Sequence, residues 1–419
     1  MEPTRETRGR RAQGHQRLRS AAFALLVLLV VAGGAAPADQ AFAKGPRGNP
    51  LARRAMWIWE LGYTSGGNLP EIVTAAHQYG VGTVIVKSSD GSSFWSSQFS
   101  PTLVSELHAG GLRVCAWQYV YGNHPVTEAY NGAQAVRDGA DCLIIDAESE
   151  YQGKYVAAQT YIRRLRSLIG YRYLLALAGF PYIDYHPAFP YSVFLGPGGA
   201  QMNVPQMYWR DIGTTTDAVF AHTYAYNRIY ERPIFPLGQL YGSPPAHQII
   251  RFRQLSRAYG APGLSWWDWQ ESTTRDWQAV SRPAGPLAGY PTYSELATIR
   301  NGDVGDLVVW AQEHLLSAGY ALAVDGGFGA TTQLAVEDFQ VAHGLTPDGV
   351  IGTQTWAALL PYRIARITWT TPQGGGPPFA HTARAGRAPL VAPVPKSARR
   401  PARADEIAGA GGRGGVPGP

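Results

Sequence analysis

The chain has 419 residues, which suggests two or three domains, and 45% of them are hydrophobic, which is enough for a sizeable core. Two cysteines exclude a disulfide-dense scaffold and a zinc or iron–sulfur site built from several cysteines. The net charge is +6, but most of the excess arginine lies in residues 1–43 and 371–419, so the part between them is slightly acidic. This distribution argues against a basic groove for nucleic acid.

Residues 1–43 have the pattern of a signal peptide. Arginines precede an apolar run from Ala21 to Ala32, which is too short to span a bilayer comfortably. Ala-x-Ala sites follow, and we expect cleavage near Ala43, with an uncleaved anchor as the alternative. The pair Arg10-Arg11 is only a weak twin-arginine signal. The sequence thus predicts a secreted protein, extracellular or associated with the cell wall, that has no membrane contact after cleavage.

Residues 55–282 contain eight short apolar runs at a nearly constant spacing, which is typical of buried parallel strands. The runs begin near Ala55, Thr83, Arg113, Asp141, Arg172, Asn203, Pro233 and Gly263. Helix-length segments that end in glycine connect most of them, so the region is predicted to form a (β/α)8 barrel in an α/β protein. The segment 182–202 is rich in proline, glycine and aromatic residues, and we expect it to form a wall or lid over the barrel mouth.

Active groups in such barrels lie at the carboxyl ends of the strands. Asp146 and Glu148 end the fourth strand, and their spacing places both carboxyl groups on one face. Two adjacent carboxylates repel each other, so one pKa should rise and leave that group protonated near neutral pH, as cleavage of a glycosidic bond requires. The structural alternative is that Asp146 caps the next loop and Glu148 pairs with Lys154 or Arg163.

The same region resembles the glycoside hydrolase family 25 lysozymes. The similarity lies in the runs IIDAE at 144–148, PQMYW at 205–209 and WWDWQ at 266–270. It implies hydrolysis of cell-wall glycans with Glu148 as the catalytic acid and Asp146 as the neighbour that stabilises the developing charge or the N-acetyl group. The first-strand aspartate of that family is replaced by the run MWIWEL, whose carboxylate is Glu60. Asp268 in WWDWQ is a candidate to supply the missing charge.

Aromatic and polar side chains at the strand ends suit a glycan, because flat rings stack on sugar faces. The candidate substrate-binding residues are Trp59, Lys87, Trp117, Tyr119, Gln206, Tyr208, Trp209, Trp267 and Gln270. Alternation along a strand implies that about half of the aromatic rings face the helices instead. No metal or cofactor motif is present in the sequence, so neither is expected. Cys115 and Cys142 are interpreted as buried thiols, with a disulfide between neighbouring strands as the alternative.

Residues 283–299 have the composition of a linker, and a compact unit follows at 300–361. Two amphipathic helical stripes alternate with a repeated motif, D-G-x-[FI]-G-x-x-T, which occurs at 325–332 and 348–355. Asp-Gly favours a tight turn, and the threonine offers a hydroxyl group at the start of the next helix. The unit is therefore predicted to be helical, with two similar turns.

This doubled motif resembles the peptidoglycan-binding type 1 domain over its whole length. The resemblance implies a three-helix module that holds peptidoglycan, with candidate contacts from Asp325, Phe328, Gln340 and Asp348. The alternative for each of these residues is that it builds a turn or the core. The segment 371–419, rich in Pro, Gly, Ala and Arg, is predicted to be disordered.

These features predict an exported protein directed at the cell wall, which binds peptidoglycan and hydrolyses a β-glycosidic bond with Glu148 and Asp146. One alternative is a non-catalytic peptidoglycan-binding protein whose barrel has lost the chemistry. Another is a hydrolase of a different extracellular polysaccharide. We expect a monomer with peptidoglycan or a related glycan as its partner, and no nucleic acid partner.

Overall fold

The computed structural model describes residues 48–290 and 295–370. The predicted signal peptide (1–43) and the predicted disordered tail (371–419) lie outside the described residues. Nine strands are present in this part of the chain: β1 Arg54–Ile58, β2 Thr83–Asp90, β3 Ser93–Phe94, β4 Arg113–Val120, β5 Cys142–Ala147, β6 Leu175–Ala178, β7 Met202–Asn203, β8 Leu237–Gln239 and β9 Leu264–Trp267.

Eight of these strands are parallel and close into a barrel. Their order around the barrel is β1, β2, β4, β5, β6, β7, β8 and β9, and β9 pairs with β1. Two single parallel bridges, Asn203 with Ile234 and Gln206 with Leu237, connect β7 and the β8 region. The short β3 lies outside the ring and forms an antiparallel hairpin with the end of β2. The predicted (β/α)8 barrel is therefore confirmed.

Helices follow most of the strands and cover the outside of the barrel. The α-helices of the barrel region are α1 Leu69–Gln78, α2 Pro101–Ala109, α3 Pro125–Arg137, α4 Tyr155–Ile169, α5 Tyr191–Leu195, α6 Thr216–Asn227, α7 Ala246–Ala258 and α8 Thr274–Ser281. Side chains at the first positions define several starts. Asn68 and Ser100 accept hydrogen bonds from the backbone of the first turns of α1 and α2, and Thr273 forms a capping box with Asp276.

The barrel region has two apolar layers, one inside the ring of strands and one between the strands and the helices. Cys115 of β4 and Cys142 of β5 lie in the inner layer, directly opposite each other in the register. They form a disulfide bond. The prediction of two buried thiols was therefore wrong, and the alternative of a disulfide between neighbouring strands is the one that the structure has.

The segment 182–202 does not cover the barrel mouth as predicted. It contains a 3-10 turn, Ile183–Tyr185, and the short helix α5, and none of its residues lines the cleft described below. Instead, α5 packs against the first helix of the C-terminal domain. The reason is the apolar side of α5, since Tyr191, Phe194 and Leu195 are all buried in the outer layer.

The C-terminal domain contains three helices, α9 Asp306–Ser317, α10 Ala330–Ala342 and α11 Thr353–Leu359, as predicted. It contacts the barrel through the start of α9. The buried carboxylate of Asp306 accepts hydrogen bonds from the hydroxyl groups of Tyr155, Ser192 and Tyr230, at 2.7–2.8 Å, and from the backbone N–H of Ser192 at 2.7 Å. The indole N–H of Trp310 donates to the carbonyl of Ile229.

Within the described ranges, 48–290 and 295–370, no helix combines the length and the apolar character needed to cross a membrane.

Candidate active site

A cleft of about 800 Å³ opens at the carboxyl ends of the barrel strands. Strands β1, β2, β4, β5 and β9 each contribute side chains to it, as the sequence predicted for a barrel of this kind. Of the predicted site residues, the cleft is lined by Trp59, Lys87, Trp117, Tyr119, Asp146, Glu148, Gln206, Tyr208 and Trp267. The barrel therefore brings most of the predicted residues together around one cavity.

One amide group joins the two carboxyl groups at the end of β5. The Nε2 of Gln206 donates to Asp146 Oδ1 at 2.9 Å and to Glu148 Oε1 at 3.0 Å. Asp146 is 5% exposed, whereas Glu148 is partly exposed to the cleft. Glu148 does not pair with Lys154 or Arg163, whose side chains bind other groups, so the alternative pairing of Glu148 considered above is not the one that the structure has.

The surroundings raise the pKa of both carboxyl groups. Burial raises the pKa of Asp146 well above its usual value, and the negative charge of Glu148 raises it further. Burial also raises the pKa of Glu148, although the hydrogen bond from Gln206 opposes this rise. Because the two groups lie together in a low-dielectric site, the pair holds a proton at higher pH than two exposed carboxylates would.

Two tyrosines of the cleft donate hydrogen bonds to further carboxylates near this pair. The hydroxyl of Tyr119 donates to Glu150 Oε2 at 3.0 Å, and that of Tyr121 donates to Asp90 Oδ1 at 2.9 Å. Burial, with the nearby carboxylates, raises the pKa of both phenols above 10. Both hydroxyl groups therefore stay protonated over the ordinary pH range and act as hydrogen-bond donors.

Lys87 contributes the positive charge of this wall. Its ammonium group donates to Asp90 Oδ2 at 2.7 Å. It also lies 4.5 Å from the ring centre of Trp95, 4.8 Å from that of Trp117 and 5.9 Å from that of Trp59. Cation–π attraction and the ion pair both stabilise the charge in this enclosed position.

A cluster of tryptophan rings lines the cleft beside Lys87. The ring of Trp267 lies 5.3 Å from that of Trp117, 5.6 Å from that of Trp57 and 6.5 Å from that of Trp59, measured between centroids. Hydrogen bonds fix two of them, because Trp57 donates to Ser265 Oγ and Trp117 donates to the carbonyl of Ile58. Trp59 and Trp267 are partly exposed, so each can offer an apolar surface to a sugar ring.

Three predicted site residues lie outside the cleft. Asp268 is 0% exposed, and its Oδ1 accepts a hydrogen bond from the backbone of Glu271, so it does not replace the missing first-strand charge. Trp209 is buried in the outer layer and donates to Gln248. The amide oxygen of Gln270 accepts the backbone N–H of Glu60, which makes it a support of the β1 end.

Several residues of the cleft were not among the predicted site residues, and those with charged, phenolic or indole side chains include Asp90, Trp95, Tyr121 and Glu150. Asp90 and Trp95 belong to the β2–β3 hairpin and the chain after it. The run SSDGSS at 88–93 held a usable signal, since Asp-Gly between short polar stretches is typical of a hairpin turn. Glu150 follows the predicted pair by two residues and lies in a short 3-10 helix, Ser149–Tyr151.

The described residues contain no group of three or more His, Cys, Asp or Glu side chains that could hold a metal ion.

The two repeated turns of the C-terminal domain have the same internal hydrogen bonds. In the first, the amide of Gln312 donates to Asp325 Oδ1, to the carbonyl of Gly327 and to Thr332 Oγ1. In the second, the amide of Gln340 donates to Asp348 Oδ1, Val350 O and Thr355 Oγ1 in the same way.

These hydrogen bonds bear on the four predicted ligand contacts. Gln340 and Phe328 are each 2% exposed. The carboxylates of Asp325 and Asp348 accept the glutamine amides and the backbone N–H groups of their own turns. The four residues thus have clear structural roles in the turns and the core, and contact with peptidoglycan by any of them stays a prediction.

Comparisons with known proteins identify a domain in the C-terminal part of the chain. Residues 304–359 match the family described as "Putative peptidoglycan binding domain". A protein of Kitasatospora aureofaciens, described as "Uncharacterized protein in bpoA1 3'region", is 37% identical over 83 residues, which are 19% of this chain and 69% of that protein. The zinc D-Ala-D-Ala carboxypeptidase of Streptomyces albus G is 39% identical over 83 residues, which are 19% of this chain and 31% of the relative.

Among solved structures, a GH18 chitinase from Pseudoalteromonas aurantia is similar with a TM-score of 0.42 and 13% identity, over 55% of this chain and 98% of that one. The family match and the three helices with their repeated turns agree on the same residues. The chain therefore belongs to the proteins that carry a peptidoglycan binding domain, which it has at residues 304–359.

Proposed function

We propose that this protein is an exported glycoside hydrolase that cleaves β-glycosidic bonds in peptidoglycan, with Glu148 as acid and base and Asp146 as its electrostatic partner. We also propose that its barrel belongs with the family 25 lysozymes and that the protein acts as a monomer. The observation that carries the proposal is the carboxyl pair bridged by Gln206 in a cleft lined with tryptophan. The peptidoglycan binding domain supports the choice of substrate.

The geometry suits a reaction in which one group donates a proton and a neighbour stays charged. Glu148 is the partly exposed member of the pair, so it can reach a glycosidic oxygen, donate a proton to it and later accept a proton from the attacking water. Asp146 lies behind it and stabilises the positive charge that develops at the sugar. Because the pKa of both groups is raised, the pair keeps a proton to higher pH than two exposed carboxyl groups would.

A non-catalytic peptidoglycan-binding protein is the second candidate, because the first strand lacks the aspartate of the family that it resembles. Glu60 lines the cleft just after the end of β1, where its backbone N–H donates to the side chain of Gln270. It does not stand at the position along the chain where that family has its aspartate. Against this candidate, the cleft contains further carboxylates in Asp90 and Glu150, and neither member of the Asp146–Glu148 pair binds an arginine or lysine.

The proposal is tested with purified peptidoglycan sacculi. The full-length protein and its Glu148→Gln variant are incubated with sacculi, and the soluble products are analysed by mass spectrometry. We expect the wild type to release muropeptides with new reducing ends, and the variant to release them at a rate lower by about 100-fold or more, because general acid catalysis contributes about that factor. Glu106→Gln, an exposed carboxylate of α2, is the matched control and should be as active as the wild type.

Two results would decide against the proposal. If neither protein releases products while both sediment with sacculi, the barrel is a binder. If soluble products come from another extracellular polysaccharide and not from sacculi, the protein is a hydrolase with a different substrate.

A further inference from the structure

The proposed reaction so far assigns no role to the positive charge of Lys87. The Lys87 side chain is more deeply enclosed than that of a residue that only contacts a ligand at the surface. The side chain is 5% exposed, and its ammonium group is hydrogen-bonded to Asp90. The rings of Trp95 and Trp117 cover it at 4.5 and 4.8 Å. An ammonium group with these partners has little surface left for a sugar, but its electric field still reaches the cleft, since low-dielectric walls screen it weakly.

A chain of contacts that begins at Asp90 fixes the position of Lys87 and connects it to the carboxyl pair. Asp90, its ion-pair partner, also accepts a hydrogen bond from Tyr121, whose ring lies 4.9 Å from that of Tyr119. Tyr119 in turn reaches Glu150 and the carboxyl pair. The charge is therefore held at one end of a continuous wall whose other end is the site of the proposed chemistry.

We propose that Lys87 is a positioning residue, which holds the Asp146–Glu148 pair in its singly protonated form through a positive charge fixed by Asp90 and the tryptophan rings. This inference rests on the proposed function, because it assigns a purpose to the protonation state of that pair. It replaces the direct contact with substrate that the sequence predicted for Lys87. Without the ammonium group, the cleft would hold two protons on the pair up to a higher pH.

The other groups that face the pair support this assignment, because they are negative or neutral. They are Asp90 from β2, Tyr119 from β4 and Tyr121 after it, Glu150 after β5, Gln206 and Tyr208 after β7, and Tyr241 after β8. Glu148 and Glu150 raise the pKa of Asp146, as Asp90 does more weakly, whereas Lys87 lowers it. Among the residues that line the cleft, Lys87 is the single lysine or arginine.

The experiment measures the titration of the pair with and without this charge. Carboxyl carbons of Asp and Glu are labelled with ¹³C in the full-length protein, and the signals of Asp146 and Glu148 are assigned with Asp146→Asn and Glu148→Gln. We expect Lys87→Met to raise the apparent pKa values of the pair by about one pH unit, since a nearby opposite charge lowers a carboxyl pKa by about that much or more. Lys87→Arg, which keeps the charge, should restore most of the wild-type titration.

Two further variants serve as controls, one for the loss of a positive charge in general and one for a failure of Lys87→Met to fold. Lys154→Met removes an equal charge outside the cleft, where Lys154 binds the carbonyl of Tyr121 and Asn123, and it should leave the titration unchanged. If Lys87→Met does not fold, the double variant Lys87→Met, Asp90→Asn leaves no unpaired charge. It should keep part of the rise, because Lys87 acts on Asp146 more strongly than Asp90 does.

Activity provides a second readout. For an active enzyme, Lys87→Met should move the pH profile of kcat/KM to higher pH by the same amount as the titration. An unchanged titration in Lys87→Met would overturn the inference, and a raised KM with an unmoved pH profile would return Lys87 to substrate binding. If the wild type hydrolyses nothing, the proposed function fails, but the titration, which needs no substrate, still decides whether Lys87 sets the protonation of the pair.

Discussion

At the scale of single residues, the surroundings separate three carboxyl groups that the sequence presents as equivalent. Asp146 and Glu148 share the amide of Gln206 in the cleft. Asp268 is buried away from it, and its Oδ2 has no hydrogen-bond partner within the described part of the chain. Burial, with the nearby charge of Glu271, raises the pKa of Asp268 to about 7. Its ionised form is thus costly to the fold, and Asp268 does not line the cleft.

This burial predicts the effect of Asp268→Asn. The folded-state pKa lies above the unfolded value, so the carboxyl contributes most to stability when protonated, and that contribution is lost as the pH rises toward 7. The amide stays neutral, and the variant should be more stable than the wild type at pH 8, by about 4 kcal/mol, because each unit of a raised carboxyl pKa corresponds to about 1.4 kcal/mol. The difference should vanish near pH 4, as measured by urea unfolding at both pH values.

Hydrolysis of sacculi by Asp268→Asn should match that of the wild type. A folded Asp268→Asn variant with strongly reduced hydrolysis would instead support the catalytic role that the sequence predicted for this residue.

The alternation of side chains explains why some site residues were predicted correctly and others were not. Tyr208 and Trp209 are neighbours, as are Trp267 and Asp268, and in each pair the first residue lines the cleft while the second lies outside it. Adjacent residues of an extended chain point to opposite sides. The sequence contains this alternation, but it does not say which side is inside where a strand ends in a loop, so both members of each pair were predicted for the site.

At the scale of elements, the spacing of the apolar runs was sufficient to predict the barrel. Each run lies within a few residues of a strand, because buried parallel strands need continuous apolar sequences. The hairpin of β2 and β3 was not predicted, since β3 has two residues and no apolar pattern. The position predicted for the segment 182–202 was also wrong, because its helix α5 packs on a helix more than a hundred residues later, and sequence patterns do not encode such a contact.

The disulfide bond between Cys115 of β4 and Cys142 of β5 leads to a prediction about the stability of the fold. The disulfide joins two residues that are 27 positions apart. Closing a loop of that size restricts the unfolded chain and stabilises the fold by about 3–4 kcal/mol in the chain-entropy description. The variant Cys115→Ala, Cys142→Ala should lose that much free energy of unfolding, measured by urea denaturation against the oxidised wild type.

The reduced wild type, unfolded and refolded with a reductant, is the control for that measurement, and its stability should be close to that of the variant. An equal stability of the double variant and the oxidised protein would show that the crosslink does not restrict the unfolded chain to this extent.

At the scale of the whole molecule, the contact between barrel and C-terminal domain is built around one buried carboxylate. Asp306 accepts four hydrogen bonds from Tyr155, Ser192 and Tyr230 of the barrel region. Burial raises its pKa to about 6, in spite of these donors, so it is ionised at pH 7.5. Such charge-assisted hydrogen bonds are stronger than neutral ones. The C-terminal domain is therefore attached to the barrel by a specific contact in addition to the chain that connects them.

This contact predicts that the two domains unfold together. Replacing Asp306 by alanine leaves three buried hydroxyl groups without their acceptor and should cost about 3 kcal/mol or more. Calorimetry at pH 7.5 should show a single transition for the wild type and, for Asp306→Ala, an additional transition at lower temperature as the C-terminal domain separates. Asp338→Ala, an exposed position on α10, is the matched control and should unfold like the wild type. If Asp306→Ala also unfolded in one transition at an unchanged temperature, the domains would be independent of this carboxylate, and their coupling would have to come from the apolar contacts around Trp310.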